Sequence, residues 1–146
     1  MPIASRFQDE NLTLTDFYKE TWVICPSCEK KALVKVDFDS NTARLFCVEC
    51  GYNKETTTAI VPNGTIKMAA HRYFNAELWL QASFKTDIFW ALNGAHLNYL
   101  ESYISASLRE HKNRTHFTLL EKLPKFYHEA KNREDLLKII TKLKRK

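Results

Sequence analysis

The chain has 146 residues and a formal net charge of +5, with 45% hydrophobic and 27% charged residues, 3 Gly and 4 Pro. That balance fits one compact domain or two small ones and excludes collagenous and low-complexity chains. No apolar run approaches the ~20 residues of a membrane span, and the opening Met1–Glu10 has no apolar stretch of signal-peptide type, so a cytoplasmic protein without a membrane partner is expected.

Residues 1–19 are polar and mixed, with Leu12, Leu14, Phe17 and Tyr18 as candidate anchors. Trp22-Val23-Ile24 reads as a short strand that runs into Cys25-Pro26-Ser27-Cys28. After 18 residues a second pair follows, Cys47-Val48-Glu49-Cys50. This is the C-x2-C…C-x2-C spacing of a zinc site. Two residues between cysteines form a tight knuckle that turns both sulfurs inward. Two knuckles supply four thiolates in a tetrahedron with Zn–S of about 2.3 Å and leave no coordination position open. One structural Zn2+ on Cys25, Cys28, Cys47 and Cys50 is the expectation. Disulfides call for a secretory context that is not visible. A thioredoxin-type pair calls for βαβ surroundings that are absent. An iron site of rubredoxin type uses the same four ligands and has the Cys-Pro-x-Cys and Cys-Gly-Tyr echoes, but no other feature of that fold.

Between the knuckles, Lys31–Phe38 is rich in β-formers, Asp39-Ser40-Asn41 signals a turn, and Thr42–Phe46 returns, which predicts a β-hairpin. Gly51 follows Cys50 where a positive φ is easily met. Glu29 takes the equivalent place after Cys28, so the first knuckle is expected to be the less ideal one. Thr56–Val61 reads as a further strand, stopped by Pro62-Asn63-Gly64. That break divides a zinc-ribbon region, 1–61, from a hairpin-plus-helix region, 62–146. The Trp and Phe content of the second region favours packing of both as one unit.

Leu78–Phe84 and Ile88–Leu92 alternate with period two around Lys85-Thr86-Asp87, predicting a second hairpin. Its Trp79, Phe89 and Trp90 have two readings, as base-stacking platforms or as core filling, and large aromatics usually bury. Asn93-Gly94 precedes a helix with a Leu97, Leu100, Ile104, Leu108 stripe, expected to run to about Glu110. His96 in its first turn is expected to face solvent. A further helical piece is predicted over Phe117–Leu123, with Pro124 marking a start or a break. The last helix opens at Asn132, with Asp135 in a near capping box, and carries Leu136, Leu137, Ile139, Ile140 and Leu143. The fold class expected is α+β: an N-terminal four-cysteine zinc ribbon, an aromatic β-hairpin and C-terminal helices.

Residues 20–54 resemble the zinc-ribbon family, in which such hairpins hold zinc through cysteines placed like Cys25, Cys28, Cys47 and Cys50. Leu78-Trp79-Leu80-Gln81, Phe89–Asn93, His96–Glu101 and Leu123-Pro124-Lys125 with Lys131–Glu134 look similar to a group of small uncharacterised bacterial zinc-ribbon-containing proteins. That resemblance implies an architecture and supplies no activity. No Gly-x4-Gly-Lys-Ser/Thr phosphate loop occurs, so a nucleotide-driven helicase is not indicated.

Charge is unevenly placed. Residues 1–108 carry 10 Lys/Arg against 12 Asp/Glu, and residues 109–146 carry 12 against 5. A concentrated cationic segment attracts polyanions, although basic residues at a helix C-terminus also complement its dipole. Arg109, Lys112, Arg114, Lys125, Lys131, Arg133, Lys142, Lys144, Arg145 and Lys146 are the candidate nucleic-acid contacts. No His-Glu-x-x-His, Gly-x-Ser-x-Gly or dinucleotide fingerprint occurs, and every cysteine is assigned to metal. His111 and His116 in the basic linker are the one place where a second metal is conceivable. The expected function is therefore a non-enzymatic zinc-ribbon module that binds DNA, RNA or a nucleic-acid-handling protein. The alternative is a protein–protein adaptor or immunity-type regulator with a purely structural zinc, using the exposed side of the aromatic hairpin or a helix groove. No small-molecule substrate is evident.

Overall fold

A computed structural model describes residues 6–8, 12–60, 64–65, 67–106, 108–110 and 123–146. Four antiparallel strands in the order β2-β3-β4-β5 form the first layer: β2 Glu20–Ile24, β3 Lys31–Asp37, β4 Thr42–Phe46 and β5 Asn53–Thr57. The predicted β3–β4 hairpin is present in the register Leu33↔Phe46 to Asp37↔Thr42. Asp37 holds its turn by accepting from the Asp39 and Ser40 amides. Strands β2 and β5 flank it, so the sheet is twice as wide as the hairpin alone.

Alternation is strict on β2, β3 and β4. Val23, Ala32, Val34, Val36, Ala43 and Leu45 are buried on one face, as period-two side-chain direction requires. A 3-10 turn, Ala70–Phe74, covers that face with Ala70, Tyr73 and Phe74. The strand predicted over Thr56–Val61 is interrupted at Thr58: β5 ends at Thr57, and β6 Ala59–Ile60 pairs with β7 Gly64–Thr65. Val61 lies outside the described residues.

The second predicted hairpin is also present, β8 Leu80–Phe84 with β9 Asp87–Ala91, its turn placing Lys85 at φ 54°. Its inner face carries an aromatic cluster. Phe84 stacks on Phe126 and Phe89 on Tyr127, each with ring centroids 5.3 Å apart. Helices α1 Gly94–Ser105 and α2 Arg133–Arg145 complete this core with Leu97, Leu100, Ile104, Leu136 and Ile140. Leu12, Leu14 and Phe17 pack against it, as expected of apolar anchors in a polar segment.

Several expectations are corrected. Helix α1 ends at Ser105 rather than Glu110; Ala106 is extended, and Leu108–Glu110 forms β10, parallel to β1 Arg6–Gln8. Backbone pairing with β1 therefore displaces the last turn of the helical stripe. His96 is buried, not solvent-facing: it is 2% exposed, its Nδ1 accepts from the Leu92 amide at 2.9 Å, and its ring stacks on Phe17 at 4.9 Å. Asn132 precedes α2 but makes no side-chain cap, its backbone being already helical. Its amide instead donates to the Phe126 carbonyl and accepts from Lys85 Nζ, which ties the hairpin to the helix. Asn93 does cap α1, accepting from the His96 amide at 2.9 Å. Leu123 sits in a bend rather than a helix; residues 117–122 lie outside the described residues. Pro124 starts a short 3-10 turn, Lys125–Tyr127.

Strand β2 joins the two cores. Trp22 N–H donates to the Leu92 carbonyl at 2.8 Å, Trp79 N–H donates to the Trp22 carbonyl at 2.9 Å, and Ile24 N–H donates to the Glu77 carbonyl at 2.9 Å. No helix among the described residues is long and apolar enough to cross a membrane.

Candidate metal centre

The two knuckles sit at one end of the sheet because of strand direction. The first leaves β2 and enters β3; the second leaves β4 and enters β5. In an antiparallel order β2-β3-β4-β5 both connections fall at the same end of the strands, side by side. Their backbones are matched. Cys25 N–H donates to the Lys30 carbonyl and Cys47 N–H to the Tyr52 carbonyl; Glu29 N–H donates to the Cys25 carbonyl and Gly51 N–H to the Cys47 carbonyl. Each turn closes through a left-handed residue, Glu29 at φ 64° and Gly51 at φ 80°. The expectation of a less ideal first knuckle takes this concrete form: a non-glycine residue in the αL region, where a Cβ is unfavourable.

All four Sγ atoms lie within 4.8 Å of one another, with Cys25–Cys50 and Cys28–Cys47 each at 3.6 Å. Four sulfurs around an ion at about 2.3 Å have mutual separations of ~3.8 Å. The group therefore fits one metal ion, and four thiolates are a donor set that zinc takes. Cys25 and Cys47 are buried, whereas Cys50 is exposed beside a solvent-facing Val48.

Proton affinities agree with a cation site. Burial opposes ionisation of Cys25, but the amides of Cys28 and Ser27, followed by the Cys50 and Cys28 thiols, outweigh it and bring Cys25 down to about 7. The Ser27 and Cys28 amides lie 3.4 and 3.5 Å from that sulfur. At Cys28 the Lys30 amide favours the thiolate, but desolvation and the three neighbouring sulfurs prevail and push it up to about 12. A metal ion takes its cysteine ligands as thiolates, so metal binding releases protons and weakens as pH falls.

The expected nucleic-acid contacts are scattered by comparison. Lys131 pairs with Glu129 at 3.3 Å and Lys144 pairs with Glu101. Lys146 Nζ donates to the Trp79 carbonyl at 2.7 Å and sits 4.2 Å from that indole centroid. Arg133 is half-buried, with Nε unpartnered. Arg109 lies in β10, paired with Phe7; Lys112 and Arg114, like His111 and His116, lie outside the described residues. Lys125, Lys142 and Arg145 are exposed. One cation not among the expected contacts joins the last two: Lys138 is exposed, and positions 138, 142 and 145 share one face of α2, opposite buried Leu136, Ile140 and Leu143. The i, i+4, i+7 spacing was the available signal.

Of the aromatic candidates, Phe89 is fully buried, Trp79 lies half-buried under Lys146, and Trp90 is 37% exposed. Fold and site together define an α+β protein with a four-cysteine metal-binding sheet. Compared with known proteins, the chain matches no family profile, no curated protein and no solved structure.

Proposed function

We propose that this protein is a non-enzymatic binding module of zinc-ribbon type, held by one structural zinc, that contacts nucleic acid through the solvent face of α2. The observation that carries the reading is the exposed row Lys138, Lys142 and Arg145 on that helix. Three cations along one helix face, none in an ion pair among the described residues, match the regular spacing of phosphates better than the paired Lys131 and Lys144 do. A set of four protein sulfurs leaves zinc no position for water or substrate, which supports a structural role for the metal. Phosphate contacts of this kind give affinity with little sequence preference.

The test is binding of metal-loaded protein to single- and double-stranded DNA and RNA across a salt series. Neutralising Lys138, Lys142 and Arg145 to Gln together should flatten the slope of log affinity against log salt by about 2 to 3. Absent binding at low salt, or an unchanged slope in the triple variant, would refute the reading. Elemental analysis of the purified protein tests the metal: one zinc per chain is expected, and iron with its visible absorption is the opposing result.

A further inference from the structure

An open groove of about 710 Å³ lies beside the β8–β9 hairpin and includes none of the α2 cations or the cysteines. Its floor is Leu78 and Leu92, its wall is Ile88 and Trp90, and Arg72 and Glu77 stand in its lining. The wall residues share the outer face of the hairpin, because Ile88 pairs with Ser83 and Trp90 with Gln81 while Phe89 points inward. Ile88 is 58% and Trp90 37% exposed, and they are two of the three large hydrophobic residues exposed among the described residues. Arg72 and Glu77 have no ion-pair partner among those residues. His71 also lines the groove, with a buried Nδ1 that has no hydrogen-bond partner.

We propose that this groove is a docking site for a polypeptide segment, which lays a large apolar side chain against Ile88 and Trp90 and presents an acidic group to Arg72 and a basic group to Glu77. Trp and Arg are the residue types that dominate binding energy at protein interfaces, and an exposed apolar pair rimmed by charge marks such a surface. Charge complementarity selects the occupant. Single-stranded nucleic acid follows grooves that are positive along their length, whereas here the one arginine is balanced by Glu77. An apolar wall between one cation and one anion instead matches a peptide carrying both signs. Burial holds His71 down to about 4, with Arg72 adding to the effect, so its imidazole is neutral at physiological pH and adds no charge to the groove.

The experiment selects a displayed library of random short peptides on the full, metal-loaded chain and titrates the synthetic consensus peptide by fluorescence anisotropy. Enriched peptides should combine a large apolar residue with nearby acidic and basic residues. Trp90→Ala and Ile88→Ala should each weaken binding about tenfold or more. Arg72→Glu, a surface change that spares the core, should do the same and be rescued when the peptide's acidic residue is exchanged for Lys. Far-UV circular dichroism checks that each variant is folded. The proposal is overturned if nothing is enriched above a matrix control, if the peptides bind the Arg72→Glu and Ile88→Ala variants as well as the parent, or if a single-stranded oligonucleotide displaces them from the groove. Neutralising Lys138, Lys142 and Arg145 should leave peptide affinity unchanged, which separates this site from the nucleic-acid reading.

Discussion

Lowering the pH should destabilise this protein through His96, and the size of the effect follows from where that imidazole sits. Its ring lies between Phe17 and Trp90, its Nδ1 accepts from the Leu92 amide, and it is 2% exposed. Protonation puts a charge where water cannot reach and converts an acceptor into a donor facing another donor. Desolvation brings His96 from 6.5 to about 4. A folded-state value below the unfolded one means that the unfolded chain takes up the proton first, so the stabilisation is fully present above pH 6.5 and is lost between 6.5 and 4. By linkage the loss is about 2 kcal/mol at about pH 5 and about 3 kcal/mol once both forms are protonated. Urea midpoints measured from about pH 7.5 to about 5 with zinc in excess would reveal it. His71, also depressed to about 4 by burial and by Arg72, titrates in the same window. The assay therefore compares the parent with His96→Gln. The variant should be less stable at the upper end of that range yet show a shallower decline, with the two curves converging toward the lower end. Parallel curves would refute the assignment of this pH dependence to His96.

Replacing Cys47 by Ser should abolish stoichiometric metal binding and disorder the four-stranded sheet, detectable by elemental analysis and by lost amide protection in β3 and β4; retained zinc would contradict the four-sulfur site. Gly94→Ala should destabilise the protein by about 1–3 kcal/mol despite better helix propensity, because a Cβ there meets the Trp22 indole at 2.7 Å; a raised melting temperature would show that the indole moves aside. Glu29→Gly should stabilise the metal-loaded protein by up to about 1 kcal/mol, as relief of the αL cost slightly exceeds the added chain entropy; thermal unfolding measures it, and a clear loss of stability would show that the Glu29 side chain contributes more than its backbone strain costs.

The metal centre was legible because its determinants are local. A knuckle is set by hydrogen bonds between near neighbours in sequence, and the strand signals around it by alternation within single strands. Both hairpins were legible for the same reason. The α1 terminus was not: Leu108 continues the apolar spacing of Leu97, Leu100 and Ile104, and only pairing with Arg6–Gln8 at the far end of the chain takes it out of the helix. The burial of His96 was hidden for a related reason. A position in a first helical turn predicts exposure, but Phe17, far away in sequence, closes over the ring. Asn132 likewise looks like a cap, and is instead consumed by Phe126 and by Lys85, which arrives from the hairpin turn. In the basic segment the charges can be counted from the residues but their partners cannot; Glu101 and Trp79, which occupy Lys144 and Lys146, lie on segments far upstream.

The two proposed binding surfaces depend on the metal to different degrees, and the backbone around β2 explains why. That strand ends at Ile24, next to Cys25, and its outer edge is bonded to Glu77, Trp79 and Leu92, in the segments that form the floor of the groove. The sheet face under the Ala70–Phe74 turn is filled by small side chains, chiefly Val and Ala, so it has little apolar area to hold it together once the sulfurs are released. Loss of metal thus loosens β2, and with it Leu78 and Leu92. The α2 face is anchored separately, by Leu136, Ile140 and Leu143 in the larger aromatic core. Chelation should therefore abolish peptide binding at the groove at concentrations that leave part of the salt-dependent nucleic-acid binding intact, because the first surface is built on the metal-held strand and the second on a helix with its own apolar support.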